Sequence, residues 1–139
     1  MRRLLAALLA ACLLMAGLPA ARAEQRVIRL SFAGDCTLGG HEDWMSYSIG
    51  TFKVMAEEQG DYGYFLKHAR EIFAQDDLTM VNLEGVLADS AKGRNLDKKW
   101  QFRGATDYVN ILTLGSVEAV TLGNNHSEDF GRTGLQSTT

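Results

Sequence analysis

The sequence predicts an α/β fold in which parallel strands alternate with helices along the chain. Apolar stretches of strand length end near Phe32, Leu83 and Leu122, and stretches with helical spacing of apolar residues lie between them. Each strand-like stretch also gives way abruptly to polar side chains. Because ligands bind beyond the carboxyl ends of parallel strands, this order predicts one site that is built from several loops.

The first half of the pattern begins with residues 27–32, where apolar and polar residues alternate as in a strand. Gly34 and Asp35 follow directly, and the glycine allows a sharp turn beside the carboxylate. Residues 43–58 have no clean periodicity, so we expect a loop with a short helix there. Residues 64–74 place Phe65, Ala69 and Phe73 at helical spacing, which predicts a helix with one buried face.

The second half repeats this order. Residues 78–83 read as a buried strand and lead at once into Glu84. A polar loop over residues 88–99 precedes a short strand at residues 100–102. Thr106 is a good N-cap for a helix that reaches Leu114, and Gly115 is its expected C-cap. Residues 117–122 form the third predicted strand, which runs into Asn124, Asn125 and His126.

The first 23 residues have the pattern of a secretory signal peptide, and the domain is expected over residues 24–139. Arg2 and Arg3 precede an apolar run over residues 4–18, and Ala21-Arg22-Ala23 is a small-residue cleavage signal. The run is too short for a membrane anchor. We therefore expect an exported protein that is periplasmic, extracellular or at the cell surface. A lipid anchor at Cys12 is the alternative to cleavage near Ala23.

Charge and cysteine content narrow the possible functions further. Without residues 1–23, the Lys and Arg total falls from 14 to 11 against 17 Asp and Glu, a net charge of −6. Nucleic acid binding is not expected from such a chain, because it depends mainly on clustered basic residues. Cys36 would be the only remaining cysteine, so an exported form would contain no intrachain disulfide.

The polar residues at the strand ends have the chemistry of a divalent metal site. Asp35, Glu84 and Asn125 offer oxygen ligands that suit Mg²⁺ or Mn²⁺, and the imidazole of His126 widens the choice to Zn²⁺ or Fe. His126 is the candidate catalytic residue, which would protonate a leaving oxygen or stabilise a phosphoryl group. Each residue also has a structural interpretation. Asp35 could be a turn residue, Glu84 a helix cap or the partner of a lysine, and His126 a hydrogen-bonded loop histidine.

Three motifs occur in order and carry a resemblance to a known family. They are Gly34-Asp35-x-x-Leu38-Gly39, Val81-Asn82-Leu83-Glu84-Gly85 and Asn124-Asn125-His126-Ser127-x-Asp129-x-Gly131-x-x-Gly134. Together they resemble the bacterial capsule synthesis proteins, the CapA or poly-gamma-glutamate biosynthesis family, which is similar to the calcineurin-like metallophosphoesterases. The resemblance implies two β-sheets flanked by helices, with a dinuclear metal site between loops.

The resemblance also assigns roles to single residues. It implies that Asp35 is the first metal ligand, that Glu84 stands where the superfamily has a bridging aspartate, and that Asn125 and His126 are the metal-binding asparagine and the catalytic histidine. Thr37 occupies the position of a histidine ligand in the superfamily motif Asp-x-His. The family continues beyond the length of this chain, which ends where we expect a helix to start. We therefore expect the N-terminal half of a sandwich that cannot hold two metals and is inactive alone.

Three functions remain open at this point. The first is an exported metal-dependent hydrolase that acts on a phosphoester in capsule or poly-gamma-glutamate metabolism, beside membrane-associated capsule machinery. The second is a non-catalytic accessory protein that binds an anionic capsule polymer through its basic residues Lys92, Arg94, Lys98, Lys99 and Arg103. The third is a hydrolase that uses the same metal site on the amide bonds of a glutamate polymer.

Overall fold

The computed structural model describes residues 25–41, 43 and 52–139. The predicted signal peptide over residues 1–23 and the alternative lipid anchor at Cys12 lie outside these residues, so they stay predictions. Within the described ranges, no helix has both the length and the apolar character needed to cross a lipid bilayer.

The larger feature of the fold is a parallel sheet of three strands, which confirms the predicted α/β class. Its strands are β1 (Leu30–Cys36), β3 (Leu78–Leu83) and β6 (Ala119–Thr121), in the order β1-β3-β6. The alternating burial of β3 reflects its central place, since Val81 and Leu83 point into the core. β1 starts at Leu30, later than the predicted residue 27, and extends beyond the predicted end to include Asp35, after an irregularity in register between Phe32 and Asp35.

A second small sheet was not predicted, apart from a short strand at residues 100–102 that overlaps its middle strand only at Phe102. It contains β2 (Gly40–His41), β5 (Phe102–Gly104) and β4 (Val86–Leu87) in the order β2-β5-β4. β2 runs antiparallel to β5, and β4 runs parallel to it. Gly39 lets the first strand approach closely, because a Cβ on this residue, whose φ is +102°, would lie 2.2 Å from the carbonyl oxygen of Arg103.

The helices are shorter than the sequence predicts. Residues 64–74 form only α1 (Arg70–Phe73) after a 3₁₀ turn at Tyr62–Tyr64. The next helix begins with a 3₁₀ turn at Thr106–Tyr108, continues as α2 (Val109–Leu114) and ends at the predicted C-cap, Gly115. Thr106 is not its side-chain cap. Instead, both carboxylate oxygens of Asp89 accept bonds from Thr106, from its amide at 2.9 Å and from its hydroxyl at 2.7 Å.

Two further helices complete the fold. A π-helix covers Phe52–Glu58, inside the segment where we expected a loop with a short helix. α3 (Gly131–Thr138) follows the third site motif, so a helix starts at Gly131 and not at the last residues of the chain.

The core lies between the parallel sheet and α2. Its most deeply buried apolar side chains are Tyr108, Ile111 and Ala56, each at most 1% exposed. A separate small cluster of Val86, Ala88 and Phe130 packs β4 against the start of α3. This packing fixes the segment over residues 124–130, which connects β6 to α3, against both sheets.

Candidate functional site

The carboxyl ends of the three parallel strands lie side by side, as the sequence predicts. Asp35 is the register partner of Asn82, and Asn82 is the register partner of Thr121. The polar residues that follow these strands therefore meet at one edge of the sheet. Asp35 contacts Asn82 at this edge, and Glu84 lies near His126, whereas the assignment of these residues and Asn125 to one metal site stays a prediction.

The amide of Asn82 connects the three strands. Its Nδ2 donates to Oδ1 of Asp35 at 2.7 Å, while its Oδ1 accepts from Thr121 Oγ1 at 3.0 Å and from Asn124 Nδ2 at 2.9 Å. The amide of Asn124 continues the network, because its Oδ1 accepts the backbone N–H of His126 at 2.9 Å. The two amides thus act as structural connectors and use their donors and acceptors on the protein itself.

Glu84 and His126 face each other beside this network. Oε1 of Glu84 lies 3.9 Å from Nε2 of His126, too far for a hydrogen bond. The other carboxylate oxygen, Oε2, accepts the hydroxyl of Thr37 at 2.9 Å. Thr37, which stands at the histidine position of the superfamily motif, therefore orients a predicted ligand.

The ring of His126 is held on its opposite side by Asp129. Nδ1 lies 2.7 Å from Oδ2 of Asp129, whose side chain is completely buried. The same Oδ2 accepts the backbone N–H of Phe102 at 2.7 Å, and the ring of Phe102 packs on the imidazole with 4.3 Å between centroids. Because a carboxylate only accepts, Nδ1 carries the proton and Nε2 is left as the open nitrogen toward Glu84.

Asn125 is exposed and lies between the two inward-pointing neighbours Asn124 and His126. Its carbonyl oxygen accepts a bond of 2.5 Å from Nζ of Lys98. Its side-chain amide makes no hydrogen bond to the part of the chain that the structure describes, so this oxygen is open to a ligand.

The donor atoms left open at this edge fit a divalent cation in their chemistry. They comprise a second carboxylate oxygen of Asp35, Oε1 of Glu84, the amide oxygen of Asn125 and Nε2 of His126. Two ligands that each lie about 2.0–2.2 Å from one ion are up to about 4 Å apart, which suits the 3.9 Å between Glu84 and His126. Over residues 25–41, 43 and 52–139, however, no cluster of at least three His, Cys, Asp or Glu side chains could hold an ion. Asp35, Glu84 and His126 therefore do not converge on one ion position, although each belongs to a residue type that binds divalent cations.

The sequence did not identify Asp129 and Lys98 as members of this site. Asp129 had a signal, since it follows His126 by three residues in the same motif and can reach back across one turn. Lys98 had none, because it lies in a polar loop that resembles a solvated surface. Cys36, beside Asp35, is half-buried, and burial raises the pKa of its thiol, which agrees with a packed residue and not a nucleophile.

One comparison with known proteins is informative. Residues 29–139 match the family model described as bacterial capsule synthesis protein PGA_cap. No curated protein matches the chain. The match spans all three motifs and most of the sequence, and the parallel sheet with its helices is consistent with the N-terminal half of a calcineurin-like α/β fold. The chain therefore belongs to the bacterial capsule synthesis family PGA_cap, and its function lies in capsule biosynthesis.

Proposed function

We propose that these residues serve an exported, metal-dependent hydrolase of the metallophosphoesterase type, which acts in the synthesis or turnover of a capsule polymer such as poly-gamma-glutamate. The observation that carries this proposal is the pairing of Glu84 and His126 at the sheet edge. An open carboxylate oxygen faces an open imidazole nitrogen across 3.9 Å, and both are oriented from behind by other side chains.

Asp35, Glu84 and Asn125 would hold the divalent ion, which could be Mn²⁺, Fe, Zn²⁺ or Mg²⁺. When bound, such an ion activates water and neutralises charge on the group under attack. In hydrolysis of a phosphoester, the oxygen of water bonds to phosphorus and the bond to the leaving oxygen breaks. For this step His126 would take up a proton at Nε2, forming an imidazolium that the carboxylate of Asp129 would stabilise, and would pass that proton to the leaving oxygen. The attacking water gives up one proton in exchange, and Nε2 is not bound to the ion while it acts as the acid.

The accessory-protein alternative has less support from the basic residues that it requires. Lys98 binds Asn125 and Asp129, Arg94 forms a paired contact with Asp43 at 2.7 and 3.0 Å, and a guanidinium nitrogen of Arg103 donates to the carbonyl of Ala88 at 2.6 Å. These cations already take part in contacts within the protein. A polymer would have to compete with those contacts.

Metal binding and turnover of two substrates test the proposal. Mn²⁺ is titrated calorimetrically into the purified chain and into Glu84→Ala, with Glu71→Ala on the exposed face of α1 as the matched control. We expect one ion per chain, lost in Glu84→Ala and retained in the control. Turnover of a phosphodiester and of poly-gamma-glutamate is measured with the same substitutions in the full natural protein.

Each outcome selects one function. Loss of phosphodiester turnover in Glu84→Ala supports the proposal, whereas cleavage of the polymer's amide bonds alone would favour the amide hydrolase. Polymer binding without turnover of either substrate, unchanged by Glu84→Ala, would replace the proposal with the accessory function.

A further inference from the structure

Lys98 contacts the segment that carries the predicted catalytic histidine at two points. Its Nζ donates to the carbonyl oxygen of Asn125 at 2.5 Å and also to Oδ1 of Asp129. Lys98 lies far from both residues in sequence, in the polar loop over residues 89–101. It therefore ties this loop to the turn between Asn125 and Asp129.

The contact from Lys98 acts mainly on Asp129. Its side chain is 0% exposed, so an unpaired charge there would be costly. Lys98 is the only cationic Lys or Arg that contacts it within residues 25–41, 43 and 52–139. A cation and N–H donors surround this carboxylate and fix its position, and Lys98, Phe102 and His126 supply these groups.

The position of Asp129 in turn determines which nitrogen of His126 is open. An ionised carboxylate accepts Nδ1–H, which leaves Nε2 without a proton and directed toward Glu84. A displaced Asp129 would no longer accept this bond, and the opposite tautomer of His126 would then place the proton on Nε2. Through its contact with Asp129, Lys98 thus controls which nitrogen of His126 would face a substrate.

A second connection supports the same role. The backbone N–H of Asn95, three residues before Lys98, donates to the carbonyl oxygen of Asp129 at 2.8 Å. Gln101 in turn donates from Nε2 to the carbonyl of Asn95 at 2.8 Å. The loop therefore contacts the turn at His126 through both its backbone and the side chain of Lys98. A surface lysine without a positioning role would not need a loop that is held in this way.

We propose from these contacts that Lys98 is a positioning residue of the site. This proposal rests on the function proposed above. Lys98 holds the carboxylate of Asp129 in place and fixes the Asn125 peptide, so that His126 presents Nε2 and Asn125 presents its side-chain oxygen at the sheet edge. Lys98 itself does not touch the reacting atoms.

The tautomer of His126 gives a direct test that needs no turnover. Nitrogen chemical shifts of ¹⁵N-histidine-labelled protein are recorded at pH 8, where an ordinary imidazole is neutral. His126 is assigned with His126→Gln, since His41 and His68 are the other histidines. We expect the wild-type signal to show a protonated Nδ1 and an unprotonated Nε2. A protonated Nε2 in the wild type would overturn the proposal, whatever the variants do.

Three variants separate positioning from stability. Lys98→Met removes the charge, Lys98→Arg retains a cation, and Lys92→Met is the matched control on an exposed lysine of the same loop. In Lys98→Met we expect the Nδ1–H signal to be replaced by a mixture of tautomers, and Mn²⁺ affinity to fall about 10- to 100-fold. Lys98→Arg is expected to restore most of both, and Lys92→Met to change neither.

The outcomes distinguish this proposal from the function on which it rests. An unaltered tautomer and unaltered Mn²⁺ affinity in a folded Lys98→Met variant would overturn the positioning role. If Lys98→Met does not fold, the Lys98→Arg variant decides. A folded Lys98→Arg variant with the wild-type tautomer of His126 supports the need for a cation. A folded variant with the opposite tautomer contradicts it. If the tautomer depends on Lys98 while the protein binds no metal, the positioning of His126 stands and the hydrolase function fails.

Discussion

Asn82 holds the carboxylate of Asp35 across the two strands β3 and β1, with 2.7 Å between Nδ2 and Oδ1. The same amide accepts hydrogen bonds from Thr121 and Asn124, so one side chain connects the ends of all three parallel strands. The predicted ligand Asp35 is therefore oriented by a residue that need not touch the metal. Asn82 therefore serves to build the site, whereas Asp35 would bind the ion.

Replacing Asn82 should weaken the fold, whereas replacing Asn125 should not. Asn82→Ala removes three side-chain hydrogen bonds, of which two are exposed to water, so it should lower the free energy of unfolding by about 0.5–1.5 kcal/mol. Asn125→Ala removes an exposed amide, and the change should stay within about 0.5 kcal/mol. Urea unfolding monitored by circular dichroism measures both variants. Equal stability losses would contradict the distinct roles of the two asparagines.

The sequence predicted the parallel sheet because the strand signals were strong and local. Residues 78–83 were predicted at their observed bounds, because a short stretch of mainly apolar residues there ends abruptly at Glu84. The small second sheet could not be predicted, because β2 and β4 contain only two residues each and are defined by tertiary pairing. The helix over residues 64–74 was overestimated, since periodicity does not show where regular hydrogen bonding begins.

The adjacency of the strand ends was predicted, but the contacts that orient the side chains were not. The strand-end rule predicted that the loops after Phe32, Leu83 and Leu122 are neighbours, because it depends only on topology, whereas the metal site itself stays a prediction. Which of two adjacent asparagines points inward depends on local backbone geometry, and the sequence gives no direct signal for it. The contact from Lys98 joins residues that are distant in sequence, so no local pattern could have indicated it.

The small core cluster around Phe130 should be essential for the attachment of α3. Phe130 is 0% exposed and packs with Val86 and Ala88, while the guanidinium of Arg103 lies 5.9 Å from the ring centroid. Phe130→Ala should cost about 3–5 kcal/mol, because a buried ring leaves a cavity that its neighbours fill only in part. Leu96→Ala is the control, since Leu96 is 79% exposed and should change stability by less than about 0.5 kcal/mol. Chemical denaturation measures the free energy of unfolding of both variants. Similar losses of stability would show that Phe130 is not needed to attach α3.

Tyr108 should make the protein sensitive to alkaline pH. Burial, and next the hydrogen bond to Glu57 at 2.7 Å, raise the pKa of Tyr108 above its ordinary value of 10.0. The folded state therefore keeps this proton more strongly than the unfolded state. Its contribution is complete below pH 10.0 and is lost as the pH rises toward the raised pKa, at up to about 1.4 kcal/mol per pH unit.

The variant Tyr108→Phe removes this titration, so its stability should fall less steeply between pH 10 and 12 than that of the wild type. Tyr64→Phe is the matched control, because Tyr64 is 38% exposed. Urea midpoints measured at half-unit pH steps give the slopes. An unchanged slope in Tyr108→Phe, or an equal change in Tyr64→Phe, would show that this phenol does not set the alkaline limit.

Thr37 should control metal affinity without being a ligand. Its hydroxyl donates to Oε2 of Glu84 at 2.9 Å and leaves Oε1 toward His126, so it fixes the direction of the proposed ligand. Thr37→Val keeps the shape of the side chain and removes only the donor. Removing a side chain that orients a metal ligand typically weakens metal binding about 10- to 100-fold. We therefore expect the Mn²⁺ affinity to fall by this factor, with the fold retained. Calorimetric titration measures it, with Thr113→Val on an exposed part of α2 as the control. Affinity that survives in Thr37→Val would mean that Glu84 is oriented by other contacts or does not bind the ion.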